Sequence, residues 1–206
     1  PGRLVYVLPV PGRKYVIGAD PAEGNPTSDD SSLCVLDDLT GEEVASLSGR
    51  FEPAVLAAHA AAIARWYNRA GIMVERNNHG HAVLLWLRDN APDLRRLCGH
   101  DKNEGWLSSS KGKALLYDHC ADAFRLQDAI LHTFATYVQL ASIEGATLRA
   151  PEGQYDDRAD ACALAHAARA CAPPPAYSPH AGGSYPQSAP MPAARPYNGP
   201  GGGYPR

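Results

Sequence analysis

The chain has 206 residues, with 19 basic and 22 acidic side chains and a formal charge of −3. That length suits one domain of ordinary size with its own core. The charge leaves no basic footprint of the kind a free-standing nucleic-acid binder carries, and no apolar run approaches the ~20 residues that span a bilayer. No signal peptide is visible, and a chain beginning with Pro1 reads as a fragment of a longer protein. The five cysteines (Cys34, Cys98, Cys120, Cys162, Cys171) include no CxxC pair. That spacing argues against a zinc knuckle and a secreted disulfide framework, leaving reduced cytosolic thiols as the ordinary reading.

Strands and helices alternate over the first 171 residues. "KYVIGAD" (14–20) and "SSLCVLDD" (31–38) are predicted strands, joined by a turn at "GNPTS". "EEVASLSG" (42–49) is a third strand, antiparallel to the second across Thr40-Gly41. A helix is predicted over 53–70, with Leu56, Ala60, Ile63 and Tyr67 at helical spacing, Pro53 at its start and Gly71 as its stop. "IMVE" (72–75) is a short buried strand, after which Asn77 or Asn78 would cap a helix through "HAVLLWLRD". Helices follow over 111–124, roughly 130–141, and about 155–171 in an Ala-rich segment. The order βββαβα followed by helices defines an α/β domain, residues 1–171, with a mixed central sheet flanked by helices.

The composition changes at residue 172. Residues 172–206 hold ten of the 18 Pro and four of the ten Tyr and read as a disordered tail. Its Tyr residues would serve as stickers for a partner, against the simpler reading of an inert tail. The tail contains Arg195 and Arg206 but no acidic residue, so the first 171 residues carry 17 basic against 22 acidic groups, a net −5. That excess fits a site where carboxylates are offset by metal cations.

Three acidic positions share a pattern. Asp20 ends the first apolar run and Glu75 ends "IMVE"; ligands gather at the carboxyl ends of parallel strands in α/β sheets. In "YDDRADACALAHAA", Asp157, Ala161, Leu164 and Ala168 share one helical stripe, so Asp157 heads the buried face with Asp156 beside it. Carboxylates aimed at one point repel, and a cation is their natural complement. Each has an ordinary alternative: Asp20 as a turn former before Pro21, Glu75 as a rim carboxylate, Asp157 with Asp160 as a helix-capping pair. Asp160 is read as a capping or solvated residue.

The strings "GADPAEG…SDDSSLCVLD", "MVERNNHGHAVLLWL", "GWLSSSKGKALL" and "YDDRADACALA" together resemble successive motifs of the C-terminal nuclease domain of the large terminase subunit of tailed phages. The resemblance runs from about Tyr15 to Ala168, and "VERNNHG" within the ordered set is its most specific part. It implies a ribonuclease H-like fold that follows a DNA-packaging ATPase in the full protein. The family's first acidic ligand falls on Asp20, its second on Glu75 and its final pair on Asp156 and Asp157. A further acid falls on Asp29 or Asp30, with Asp29 slightly ahead. Tyr155 stands where the family often has His. No GxxxxGK[ST] pattern occurs, so the ATPase half lies outside this chain.

The implied activity is metal-dependent endonucleolytic cleavage of concatemeric double-stranded viral DNA during packaging. Two Mg²⁺ or Mn²⁺ ions ~3.5–4 Å apart would sit on Asp20, Glu75, Asp156 and Asp157, with Asp20 as the bridge. All-oxygen ligands suit those ions and suit zinc poorly. Lys111, Lys113 and Arg76 are candidate DNA contacts; Asn77, Asn78 and His79 would orient Glu75 or touch the DNA backbone. The implied partners are the upstream ATPase domain, the small terminase subunit and the portal, with action at the procapsid in the host cytoplasm and no membrane partner. The rivals are another ribonuclease H-like nuclease, of resolvase or integrase type, and a non-catalytic packaging module whose acids are structural.

Overall fold

Alternate residues of a strand face opposite sides of its sheet, and in this protein both sides are covered. The computed structural model describes residues 2–25 and 29–171; the expected tail over 172–206 falls outside them. Within these residues the strands are β1 (Gly2–Val5), β2 (Tyr15–Asp20), β3 (Ser31–Asp37), β4 (Glu43–Gly49) and β5 (Gly71–Val74). They form one sheet in the order β1-β4-β3-β2-β5, parallel only between β2 and β5. The helices are α1 (Pro53–Trp66), α2 (Gly80–Asn90), α3 (Ser110–Arg125), α4 (Phe134–Ser142) and α5 (Asp157–Cys171). None is long and apolar enough to cross a membrane.

Parity along β2 assigns the two faces. Tyr15, Ile17 and Ala19, with Ile72 and Val74 of β5, pack beneath α1 and α2 against Leu56, Ala60, Ile63, Val83 and Leu87. Val16 and Met73 have the other parity and pack with Leu116 of α3 and Ala161, Leu164 and Ala168 of α5. Asp20 continues the Val16–Gly18 series and Glu75 continues from Met73, so both carboxylates emerge on the α5 side. Ala19 pairs with Val74, and the Glu75 N–H donates to the Ala19 carbonyl at 2.8 Å. The two acids therefore leave the ends of adjacent parallel strands together.

Glycine sets how closely α5 approaches. A Cβ on Gly18 would collide with the backbone of Ala161 and Ala165 and lie 2.9 Å from Leu164 Cβ. An Ala-rich helix lying directly on a glycine lets two backbones meet without a cavity. The expected stripe of Asp157, Ala161, Leu164 and Ala168 is buried, but so is every residue from Ala159 to Ala168. Burial extends round α5 because α3 and α4 pack on its flanks as well as the sheet beneath it.

Other expectations need correction. The predicted strands begin only at residue 14, yet β1 precedes them and pairs antiparallel with β4 at the sheet edge. α1 ends at Trp66, four residues early, because Asn68 and Arg69 take positive φ (54° and 61°). The Asn68 amide then donates to the Val10 and Arg13 carbonyls at 2.7 and 3.0 Å. α4 begins at Phe134 and not near 130. The buried Glu43 carboxylate takes the N–H groups of His132 and Thr133 at 2.9 and 2.8 Å, and this holds the segment before α4 outside a helix.

Candidate metal centre

The turn "ERNNHG" connects β5 to α2 and carries Glu75 at its start. Neither Asn77 nor Asn78 supplies the expected side-chain cap: His79 holds the cap position, without a side-chain hydrogen bond. Asn77 instead clasps Ser108, its amide donating to the Ser108 carbonyl at 3.2 Å and its oxygen accepting the Ser108 N–H at 3.0 Å. Gly80 sits against the Glu75 carbonyl, where a Cβ would collide with that oxygen. Glu75 is thereby held from both sides by backbone contacts.

The "GW" segment extends the sheet past β5. The Trp106 N–H donates to Val74 at 2.8 Å and its carbonyl accepts from Arg76 at 2.7 Å. The fully buried Trp106 ring then donates from Nε1 to the Gly112 carbonyl at 3.1 Å, while Ser109 caps α3 through the Gly112 N–H, also at 3.1 Å. These bonds fix the first turn of α3, and with it Lys113, beside the strand ends.

At the start of α5 the capping is done from a distance. Gln139 of α4 accepts the N–H groups of Arg158 and Ala159 at 2.8 and 3.2 Å, the donors a local cap would satisfy. Asp157 and Asp160 are therefore not needed as a capping pair. Both are buried, 7 % exposed each.

Asp20, Glu75, Asp156, Asp157 and Asp29 all line one open cleft of about 530 Å³. Glu23, Asn78, His79, Lys113, Arg149 and Asp160 line it as well. Seven of the lining side chains are carboxylates, and only Lys113 and Arg149 are fixed cations. Asp30, the alternative to Asp29, lies outside this lining and accepts from Ser48 Oγ at 3.2 Å.

Asp160, read from sequence as a cap or a solvated residue, is instead part of the site. Its carboxylate accepts from Lys113 Nζ at 2.9 Å and from the Tyr117 hydroxyl at 2.5 Å. Lys113 also lies 3.7 Å from Asp156, whose carboxylate accepts the Ala150 N–H at 3.2 Å. Lys113 thus faces acids inside the cleft. Arg76 pairs with Asp101, outside the cleft lining. Lys111 is exposed on the first turn of α3 and does not line the cleft.

The electrostatics follow from crowding acids where water is scarce. Asp20 opens partly to the cleft, yet burial and the neighbouring Glu75 hold its carboxyl well above the usual range. Burial, then Asp29, push Asp157 up to about 7. Burial pushes Asp160 up to about 6, against the opposing pull of Lys113 and Tyr117. Carboxyls that hold protons this firmly are short of positive charge. Oxygen donors converging from β2, β5 and α5 suit a hard divalent cation, which would replace those protons.

No protein-family model matches the chain, and no curated protein matches it by sequence. Its fold does match solved structures. The large terminase nuclease of thermophilic phage G20c with bound magnesium superposes with a TM-score of 0.65 at 22% identity, covering 80% of this chain and 86% of that one. The zinc-bound form of the same nuclease gives 0.62 at 22% identity over the same shares. The Thermus phage P74-26 large terminase nuclease domain gives 0.63 at 22% identity, covering 80% of this chain and 84% of that one. The described residues have the ribonuclease H-like fold of the large terminase nuclease domains.

Proposed function

We propose that this chain is the nuclease domain of a phage terminase large subunit, a divalent-metal-dependent endonuclease that cuts concatemeric double-stranded viral DNA during packaging. The observation that carries the reading is the convergence of Asp20, Glu75 and Asp157 from three elements into one cleft, on that fold. Asp20, Glu75, Asp157 and Asp156 would hold two divalent ions. When bound, such ions supply an activated water and neutralise the charge developing on a phosphate. Mg²⁺ and Mn²⁺ suit the oxygen donors best, and the zinc form of the G20c nuclease makes zinc a third ion to test.

The chain's own residues have separable roles. Asp20 lies among the acids, with Glu75, Asp160 and Asp157 all raising its proton affinity, which suits a bridging ligand. Asp157 is the better of the final pair for direct ligation. Asp156 already accepts from Ala150 and faces Lys113, and so orients the segment before α5. Lys113 and Tyr117 hold Asp160 in place and keep its charge partly neutralised. Asp29 stands exposed at the rim as an accessory acid. His79 and Arg149 on the cleft lining and Lys111 outside it would be the groups that meet an incoming phosphate backbone; Arg76, paired with Asp101, would act through that carboxylate and not on DNA directly. The partners in this reading are an upstream packaging ATPase, the small subunit and the portal, at the procapsid in the host cytoplasm.

The test is incubation of the purified chain with supercoiled plasmid in Mg²⁺, Mn²⁺, Zn²⁺ or EDTA, beside Asp20→Ala and Glu75→Ala. Metal-dependent nicking and linearisation, lost in both variants, are expected. Cleavage retained by both variants overturns the proposal.

A further inference from the structure

The second half of α5 carries a group of different chemistry. Cys162 and His166 stand one helical turn apart, and Cys120 of α3 faces them. Their sulfurs and an imidazole nitrogen all lie within 4.8 Å of one another, and all three residues are buried. Cys34 of β3, also buried, sets its thiol beside that of Cys162. His166 is only 3 % exposed, and neither Nδ1 nor Nε2 has a hydrogen-bond partner among the described residues. Buried polar groups normally have partners, so an imidazole with both nitrogens buried and unpaired requires an explanation. Nothing in the acid cleft uses it, since none of these four side chains lines that cleft.

We propose that Cys120, Cys162 and His166, with Cys34 as the fourth donor, form a structural zinc site that ties α3 to α5 and β3. Two or three thiolates and one imidazole are the donors zinc takes in closed tetrahedral sites, with sulfur at ~2.3 Å and nitrogen at ~2.0–2.1 Å. The edges of such a tetrahedron are ~3.5–4 Å long, so the three donors Cys120, Cys162 and His166, already within 4.8 Å of one another, close with shifts of less than about one ångström, while Cys34, outside that group, must move further to reach the ion. The ion would accept the lone pair of one imidazole nitrogen and displace the thiol protons as thiolates form, leaving the other ring nitrogen as an N–H. His166 also lines a second cleft, about 280 Å³, with His119, Asp122, Asp128 and Arg169; none of the three cysteines lines it. A zinc knuckle draws its cysteines from one short stretch of chain; this group is assembled by the packing of α3 on α5.

Donor softness separates this site from the carboxylates, and Co²⁺ is the probe that reads it. The full chain, purified reduced, is titrated with Co²⁺ as wild type and as Asp20→Asn, in which the acid cleft is impaired. Both are expected to give the sulfur-to-cobalt charge-transfer band and intense visible bands of a tetrahedral thiolate site. One equivalent should saturate these bands, and one equivalent of Zn²⁺ should bleach them. Cys162→Ser and His166→Gln should lose them; Cys120→Ala serves if either variant fails to fold by circular dichroism. Absence of the bands from folded, reduced wild type, or their survival in the ligand variants, overturns the proposal. So does a Cys120–Cys162 disulfide found by mass in the wild-type chain. DNA cleavage plays no part in this readout, so its failure leaves the nuclease reading standing.

Discussion

The two faces of the sheet are built from the same strands and end differently. On the α1–α2 side, Ile17, Ala19, Ile72 and Val74 meet Leu, Ala and Val from two helices, and the hydroxyls of Tyr15 and Tyr67 at its margin are hydrogen-bonded to backbone. On the α5 side the middle is as apolar, but the series from Val16 ends in Asp20 and the series from Met73 ends in Glu75. One face is therefore a core and the other is a core with a charged edge. A one-residue slip of β2 would exchange them, placing Asp20 under α1 among Leu56, Ala60 and Ile63. Register is thus the feature on which the candidate site depends most.

The largest expected effect comes from truncating the charged edge. Asp20→Ala, Glu75→Ala or Asp157→Ala should each remove a metal ligand, and ligand-held cations supply several kcal/mol of transition-state stabilisation. Plasmid cleavage should fall by at least about 1000-fold for each. Leu56→Ala on the opposite face should lower stability by about 2–5 kcal/mol, while any chain that remains folded cleaves at the wild-type rate.

Next in size is a dependence on pH that only the α5 face should show. A carboxyl whose proton affinity is raised by folding binds its proton more tightly in the fold than in the unfolded chain. Its stabilising contribution is complete below the unfolded value near 4 and is lost as pH rises through the folded value. For Asp157 that window ends at about 7 and for Asp160 at about 6, with Asp20 shifted in the same direction. In EDTA, urea denaturation should show stability falling between about pH 4 and pH 7, by on the order of a few kcal/mol. Asp157→Asn should flatten that slope. Mg²⁺ should oppose it, stabilising the protein more at the higher pH. A stability that rises across this window in EDTA would contradict the crowding of buried acids.

Asp20 and Glu75 are legible because each ends an apolar run at the carboxyl end of a strand, and Asp157 because the 3.6-residue period of α5 puts it at the head of the buried stripe. The mixed sheet was legible from the same runs. What escaped depended on contacts between distant segments. The strand "GRLV" has Gly and Arg where "IMVE" has a continuous apolar run, and it owes its existence to pairing with β4. Asp160 reads locally as a helix-start residue; Lys113 and Tyr117, more than 40 positions away, draw it into the cleft. Gln139 caps α5 from 19 and 20 positions away, and no periodicity announces it. The Cys120, Cys162 and His166 group exists only through the packing of α3 on α5.

A smaller effect tests how closely the charged face is set. Gly18→Ala puts a methyl into the backbone of Ala161 and Ala165, so α5 must move away from β2. Overpacking of this kind costs about 1–3 kcal/mol, or roughly 2–4 °C of melting temperature per kcal/mol at this chain length. Because α5 carries Asp157 and Asp160, cleavage should fall as well, even in chains that remain folded at the assay temperature. Unchanged cleavage would show that the acids tolerate a displaced helix.

The smallest expected effect lies on the apolar face. Tyr67 ends α1 fully buried, its hydroxyl donating to the Val7 carbonyl at 2.7 Å and approaching that of Val44 at 3.3 Å. Its ring also meets Tyr15 edge-on with centroids 5.0 Å apart. Tyr67→Phe keeps the ring contact and removes only the donor. The Val44 carbonyl keeps the N–H groups of Tyr6 and Val7 at 2.9 and 3.2 Å, so the loss falls on the Val7 carbonyl alone. One neutral hydrogen bond to a partly buried carbonyl contributes about 1 kcal/mol, so melting should fall by about 2–4 °C. The cleavage rate, and the slope of stability with pH, should match wild type. Were either to change, the two faces would be coupled through the sheet, and the division of the molecule into a core face and a charged-edge face would fail.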